Sequence, residues 1–395
     1  MKRINASNPI CIGFVMTGVG WTGGINYYRS LFDSISLASK GKYRVVLVTA
    51  PGGSCKAKTQ FGNHRTVETL WVRGTRLTKI IRALIRATLG RDWILEQTYS
   101  KMGLDISSHG PALGIRSSIP SIVWIPDFQH LHLPHFFPGK MAQRRTENYR
   151  RLSRNANCVI VSSQNAKDDL DTLLAGEQVN SRVLKFVPSI PTGPLSTRNE
   201  LKRRYNLSDK YLFLPNQFWS HKNHATVVAA MKILCQEKSV PLIVCSGDLS
   251  DFRNPKHINE IQSEIIRSGI IKYFRLLGSI PYQDVFDLMY YSHGVINPSL
   301  FEGWSTTVEE AKLLNKKLVL SDIPVHREQA AGRAIFFPPK SPKECANAIQ
   351  LVWKSESDNP DPLFYINARV ALEEFGDQYI SIVSDCISQA QSSSI

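Results

Sequence analysis

No stretch of about 18 uncharged apolar residues occurs in the 395-residue chain, so an ordinary transmembrane helix is not expected. The N-terminus, MKRINASNPICIGFVM, has the basic start of a signal peptide. Its apolar run is broken by Asn5, Asn8 and Pro9, and it reads instead as a buried first strand. The seven cysteines show no CxxC or other paired spacing. An odd number without a framework points to a reducing cytosol and buried thiols, and makes the N-x-S sequons at Asn5 and Asn206 coincidental. Acidic residues are scarce, with 33 Asp and Glu against 48 Lys and Arg and a net charge of +15. That imbalance favours an anionic partner: nucleic acid, phospholipid headgroups or a negatively charged substrate. No D-x-D motif falls in a strand-end loop. Asp169-Leu170-Asp171 has the letters but lies in a polar helical stretch, a solvated face.

What is present is a long alternation of strand-like and helix-like segments. Apolar, β-branched runs fall at Ile10–Met16, Tyr43–Thr49, Ser121–Ile125, Cys158–Ser162 and Val183–Val187. A second series falls at Tyr211–Leu214, Leu242–Cys245, Tyr273–Leu277, Gly294–Ile296, Lys317–Leu320 and Ala334–Phe337. Helical periodicity lies between them, as in Asp284–Tyr291 and Val308–Leu314. Continuous apolar strands separated by helices predict α/β architecture, with parallel sheets covered on both faces. The Pro/Gly/Ser stretch Pro188–Ser196 is the natural boundary. It divides a domain over 1–190 from one over 196–375, with a C-terminal helix around Gln378–Ile387 and a tail over 376–395 packing back toward the first domain. Ligands in such sheets bind beyond the carboxyl ends of the strands, here in a cleft shared by two domains.

Four strand-end segments carry chemistry. MTGVGWTGGINYY follows the first strand, and Gly18, Gly20 and Gly23 satisfy G-x-G-x-x-G, a pattern that brings backbone N–H groups close to a diphosphate. An NAD site also wants an acidic residue at the end of the second strand. That strand ends Leu47-Val48-Thr49-Ala50-Pro51, with no carboxylate. WIPDFQHLHLPHFF places Asp127 just past a strand, followed by His130, His132 and His135. Their H-x-H-x-x-H spacing lacks supporting metal ligands, so Asp127 or His130 is the candidate for substrate contact and no metal is expected. YLFLPNQFWSHKNH brings Lys222 to the start of a helix, where it and free N–H groups would neutralise a leaving diphosphate; the competing reading is a surface lysine. INPSLFEGWSTTVEEAKLL sets Glu302 in a loop and Glu310 about one turn into the helix that follows. Thr306 with Glu309, or Thr307 with Glu310, would form a capping box at its start. Two carboxylates flanking a phosphate cradle suit sugar hydroxyls; the competing reading is a capped helix with solvated acids.

Between Leu212 and Pro339 above all, and over nearly the whole chain, the sequence resembles the retaining glycosyltransferases of the GT4 type and GT-B fold, a bacterial group 1 family. PSLFEGWSTTVEEA looks like that family's E-x7-E signature, and LLGSIPYQDVFDLMYYSHGVINPS, LVLSDIPVHREQA, AIFFPPKSPKECANAI and LPNQFWSHKNH fit around it. The resemblance implies two Rossmann-like domains facing across a cleft and a nucleoside-diphosphate sugar as co-substrate, with no cofactor. It implies Glu302 on donor-sugar hydroxyls and Glu310 on the nucleotide ribose. The backbone of Gly303, Trp304, Ser305 and Thr306, with Thr307, would hold sugar and diphosphate. Lys222 matches the diphosphate lysine, and Gln217 stands where an arginine is usual. Leu277 and Gly278 would meet the nucleobase. The Gly20–Gly24 loop, with Gly23 and Gly24, matches the glycine-rich loop, and Asp127 and His130 the polar groups of the first domain. The mechanism implied is metal-independent front-face substitution, with domain closure excluding water.

Arg73, Arg76, Lys79, Arg82 and Arg86 recur at helical spacing beside Leu77, Ile80, Ile81, Leu84 and Ile85. This pattern fits a helix resting on an anionic membrane, and equally an amphipathic helix with a solvated cationic face. A second cluster comprises Arg144, Arg145, Arg150, Arg151 and Arg154. Without a nucleic-acid module or an aromatic platform, nucleic acid ranks lower. The expectation is a cytoplasmic enzyme, peripheral on the inner membrane face, extending a lipid-linked glycan in cell-surface polysaccharide or lipopolysaccharide synthesis. Its rivals are an NAD-dependent oxidoreductase or epimerase and a non-catalytic sugar-nucleotide-binding protein.

Overall fold

The computed structural model describes residues 8–16, 22–62, 64–72, 75–236, 240–251, 253–330, 332–356 and 363–392. The chain forms two compact units, Met1–Ser189 with Arg369–Ile395, and Ile190–Ala368.

The first unit is built on seven strands: β1 (Ile10–Val15), β2 (Tyr43–Thr49), β3 (Arg65–Glu68), β4 (Ile106–Ser108), β5 (Ser121–Ile125), β6 (Cys158–Val161) and β7 (Ser181–Val183). All pair in parallel, in the order β3-β2-β1-β4-β5-β6-β7. The apolar runs predicted β1, β2, β5 and β6. Two strands carry no such run. β3 is an edge strand, Arg-Thr-Val-Glu, exposed at both ends. It exists because β2 offers a free ladder, with Val46–Thr49 facing Arg65–Glu68. β4 is Ile-Ser-Ser in mid-sheet, fully buried. Ser108 is tolerated there because its hydroxyl accepts a 2.8 Å bond from Tyr379 and lies 2.8 Å from His109 Nδ1. β7 lies at Ser181–Val183, earlier than the predicted Val183–Val187.

The helix predicted at Gln378–Ile387 is the end of a longer one, Phe364–Ser392. Phe375, Tyr379, Ile382, Val383, Cys386 and Ile387 make its buried stripe at helical spacing. Gly376 is what lets the helix lie so close. A Cβ there would stand 2.2 Å from the backbone oxygen of Ser34 and 2.8 Å from the Ala38 methyl.

The second unit has six strands: β8 (Leu212–Leu214), β9 (Ile243–Cys245), β10 (Phe274–Leu276), β11 (Gly294–Asn297), β12 (Leu318–Ser321) and β13 (Ala334–Phe337), ordered β10-β9-β8-β11-β12-β13. Successive side chains point to opposite faces. Leu212, Leu214, Ile243, Ile296 and Val319 pack against Val227, Met231 and Ile349. Phe213, Val244, Val295, Leu318 and Leu320 pack against Phe286, Met289, Val308 and Leu314. Both faces are therefore dry, which is why these strands read as unbroken apolar runs. Strand order reverses between β8 and β11, and the loops that follow those two strands open at that switch point.

Candidate active site

The loop after β8 runs through Pro215–Asn216–Gln217 into a short turn, Ser220–Lys222, and then the helix His224–Leu234. Asn223 sits between them with φ 59°, a left-handed conformation that asparagine tolerates. Its amide donates to the carbonyls of Pro298 (2.9 Å) and Pro339 (2.8 Å), tying this loop to the one after β11. Gly247, at the end of β9, presses on the same loop; a Cβ there would meet Asn216 O at 2.4 Å. Lys222 is thereby carried to Glu302, with Nζ 2.6 Å from Oε1.

Glu302 is buried, and the Ser299 hydroxyl donates to the same Oε1 over 2.6 Å. Burial alone would raise its pKa. The ammonium of Lys222, the field of His326 and the bonds from Lys222 and Ser299 outweigh burial and hold it below the usual carboxylate range. Glu302 is therefore a carboxylate at neutral pH. Reading the motifs separately gave Lys222 to the phosphate and Glu302 to the sugar; the structure joins them as one ion pair. An ammonium has three donors, so Lys222 keeps two for an anion.

A buried amide and hydroxyl network supports the pair. Asn216 donates to Asn297 Oδ1 (3.0 Å), and the Asn297 amide donates to Ser305 Oγ (2.8 Å). Ser305 caps the helix Thr306–Leu313, accepting from Val308 N. This corrects the expected capping boxes at Thr306 and Thr307, because both threonines lie inside the helix. Glu309 bonds Lys312 and Gln329 instead of reaching back to a cap. Gln329 also takes the Ser305 N–H (3.0 Å), so that one donor of the expected Gly303–Thr306 cradle is already committed. Thr307 Oγ1 lies 3.4 Å from both Pro215 O and Asn216 Oδ1. Gly303, Trp304 and Gln217 are half-buried on these loops. Leu277 and Gly278 follow β10, and Gly278 O accepts from Gly247 N at 2.9 Å.

Glu310 is buried, and burial pushes its pKa up to about 7 against the opposing effect of the Tyr282 hydroxyl, which donates to Oε1 over 2.7 Å. Tyr282, Ser299, Asn297, Gln329 and His326 were missed from sequence. Ser299, three residues before Glu302, carried a local signal; the others become neighbours only through the fold.

The first unit treats its predicted residues unevenly. Gly18 and Gly20 lie outside the described residues, and Gly23 and Gly24 are in the first turn of the helix Thr22–Ser39 instead of a loop. Asp127 is half-buried, with Oδ1 accepting from Arg145 (2.9 Å) and from Gln129 N (2.8 Å). His130 is buried against Phe128, Phe137 and Tyr149, with Nε2 3.1 Å from Thr146 Oγ1. Burial, then Arg145, pull its pKa down to about 4, so it is neutral at pH 7. His132 pairs with Asp169 at 2.9 Å, while Asp171 pairs with Lys167.

The basic helix, Arg76–Leu89, contradicts a fully cationic outer face. Arg82 is buried, donating through Nε and a terminal nitrogen to Asp92, at 3.0 and 2.7 Å, and through the other to Trp71 O. Asp92 draws it inward. Arg86 follows at 3.8 Å, Arg73 lies outside the described residues, and nothing is described of the side chains of Arg76 and Lys79. Leu77, Ile80 and Leu84 are instead 66%, 56% and 63% exposed. In the second basic cluster, Arg145 is bound to Asp127 and Tyr149, and Arg154 to Glu177.

Residues 197–368, nearly the whole second unit, match the family described as glycosyl transferases group 1. The second unit is thus similar to the group 1 glycosyltransferases. The O-antigen chain mannosyltransferase RfbU of Salmonella typhimurium is 22% identical over 167 residues, an alignment spanning 42% of this chain and 44% of that protein. Among solved structures, sucrose-phosphate synthase of Thermosynechococcus elongatus superposes with a TM-score of 0.65 at 17% identity, covering 96% of this chain and all of the other. HepE of Anabaena, in complex with UDP, superposes with a TM-score of 0.62 at 15% identity, covering 98% and 99%. The two doubly wound units thus have the GT-B fold of these structures.

Proposed function

We propose that the chain is a retaining glycosyltransferase of the GT4 type, taking a sugar from a UDP- or GDP-sugar to a glycan or lipid-linked acceptor in bacterial surface polysaccharide synthesis. The observation that carries this reading is the buried Lys222–Glu302 pair at the switch point of the second sheet, with Glu310 on the adjoining helix. Glu302 accepts hydroxyls of the donor sugar and Glu310 those of the ribose. Lys222 and the start of the helix Thr306–Leu313 offset the charge of the departing diphosphate, without a metal. Leu277 and Gly278 meet the base, and Gln217 adds a neutral donor beside Lys222. The bond from C1 to the phosphate oxygen breaks as the acceptor oxygen bonds C1 on the same face, and the acceptor proton passes to the departing phosphate. Asp127 serves the acceptor; His130, neutral and enclosed, supports it by packing.

Turnover across a panel of UDP- and GDP-sugars, with Glu302→Ala as control, tests the assignment. One donor is expected to stand out, with UDP-sugars the first to try because HepE was solved with UDP. Transfer undiminished in Glu302→Ala refutes the role of that residue.

We further propose peripheral binding at the inner face of the cytoplasmic membrane. Support comes from the exposed ridge Leu77, Ile80 and Leu84 in a chain of net charge +15. No described helix is long and apolar enough to cross a membrane. In flotation, the protein is expected to rise with anionic vesicles, and a Leu77→Ser/Ile80→Ser/Leu84→Ser variant to lose about tenfold in bound fraction. Equal flotation with neutral vesicles removes the electrostatic part, and an unaffected triple variant removes the ridge.

A further inference from the structure

We infer that Tyr282 is a positioning residue for nucleotide recognition, holding the Glu310 carboxylate in the plane and ionisation state that receive the hydroxyls of a donor ribose. The inference rests on the donor-site reading above.

Tyr282 is the first residue of the helix Tyr282–Tyr291, directly after Pro281, whose ring sets φ at −54° and so aims the entry of that helix. The helix is held firmly. Asp287, fully buried, accepts from Ser196 N (2.9 Å) and Gln283 (2.7 Å), and Asp284 is bound by Arg204 and Tyr205. The phenol is therefore delivered from a rigid mount, and its hydroxyl donates to Glu310 Oε1 over 2.7 Å. It links the connection after β10 to the helix that follows β11, two elements that meet only in the folded unit.

A carboxylate that must take two neighbouring hydroxyls needs a defined plane and a negative charge. Tyr282 contributes to both. Its bond stops the carboxyl group from rotating, and a donor on the charged form favours ionisation against the effect of burial. Burial and the neighbouring carboxylate push the pKa of Tyr282 itself well up, so it stays a neutral donor. The other titratable groups around this helix face elsewhere. Glu309 pairs with Lys312 and Gln329, Lys222 with Glu302, and His326 Nδ1 lies 2.9 Å from Ser321 O. Among the described residues, Tyr282 is the side chain that bears on Glu310.

The test uses the full chain, titrated calorimetrically with UDP, GDP and their 2′-deoxy forms from about pH 5.5 to 8.5. The wild type should prefer the ribonucleotide and lose affinity as pH falls below about 7, where Glu310 takes up a proton. Tyr282→Phe should weaken the preferred ribonucleotide about tenfold at pH 7, the worth of one hydrogen bond to a charged group, and raise the donor KM more than it lowers kcat. Its acid limb should move to higher pH, because loss of the hydroxyl raises the Glu310 pKa further. In Glu310→Gln, which has nothing to titrate at that position, the ribonucleotide and its 2′-deoxy form should follow the same profile, set by the diphosphate itself. A Tyr282→Phe variant that keeps the wild-type profile and ribose preference overturns the role of Tyr282. A ribose preference that still varies with pH in Glu310→Gln also overturns it. A wild type blind to the 2′-hydroxyl refutes instead the ribose assignment of Glu310.

Discussion

Lys222→Ala is expected to lower kcat/KM by about two to three orders of magnitude, the usual cost of removing one preorganised donor from a developing anion. Two losses combine. On the proposed mechanism the departing diphosphate loses a cation, and Glu302 loses the partner that keeps it ionised. Glu302 is buried, so without the 2.6 Å ammonium the burial effect dominates and its pKa climbs. The acid limb of the activity profile should therefore move to higher pH in Lys222→Ala. The wild-type carboxyl has a depressed pKa, and its contribution to stability is present above the unfolded value and lost as pH falls through the folded one. Because the two side chains share one contact, Lys222→Ala and Glu302→Gln should combine less than additively. Steady-state kinetics of both single variants and the double variant decide the matter: a loss below about tenfold in Lys222→Ala, or strict additivity, removes the pair from the mechanism.

Glu310→Gln should move stability and donor affinity in opposite directions. The folded pKa of Glu310, about 7, lies above its ordinary value of 4.5. For an acid raised by burial, the folded state holds the proton more tightly, so stability from this group declines as pH rises from about 4.5 to about 7 and stays low above that. The shift corresponds to about 3 kcal/mol of destabilisation at pH 8, which a neutral glutamine does not suffer. Glutamine keeps an oxygen for the Tyr282 hydroxyl. The variant should therefore melt on the order of 5–10 °C higher than wild type at pH 8, with the gap closing near pH 5. It should also bind the donor nucleotide more weakly, because the charged acceptor is gone. Melting curves at the two pH values, with and without UDP, test both signs. A variant no more stable at pH 8 means that Glu310 is not held against its ionisation.

The parts of the site that were legible in sequence are those encoded within one loop. Lys222 and Glu302 lie beyond strand ends, and Glu310 in the helix that follows, because the runs Tyr211–Leu214 and Gly294–Ile296 are apolar enough to announce buried parallel strands, and the loops after them follow. Where local composition fails to announce an element, reading fails too. β4 is Ile-Ser-Ser, buried only because Tyr379 satisfies Ser108 from far along the chain, and β3 is a polar edge that its neighbour recruits. The cap of the helix Thr306–Leu313 was misplaced by one residue for a similar reason. Asn297 and Gln329 hold Ser305 from outside the local pattern of threonines and glutamates.

The basic helix shows the limit most clearly. Its spacing of Arg and apolar residues described an amphipathic surface correctly, but Asp92 turned Arg82 inward and left Leu77, Ile80 and Leu84 outside. By itself the sequence determined the α/β class and most strands of the two parallel sheets. These follow from periodicity and from the few residues that can turn a chain. Only the tertiary structure decided the pairings: Lys222 with Glu302 across 80 residues, Tyr282 with Glu310 across 28, and Arg82 with Asp92 across 10. A charged or hydroxyl group is compatible with many neighbours, and burial leaves each of these with the partner that offsets its desolvation.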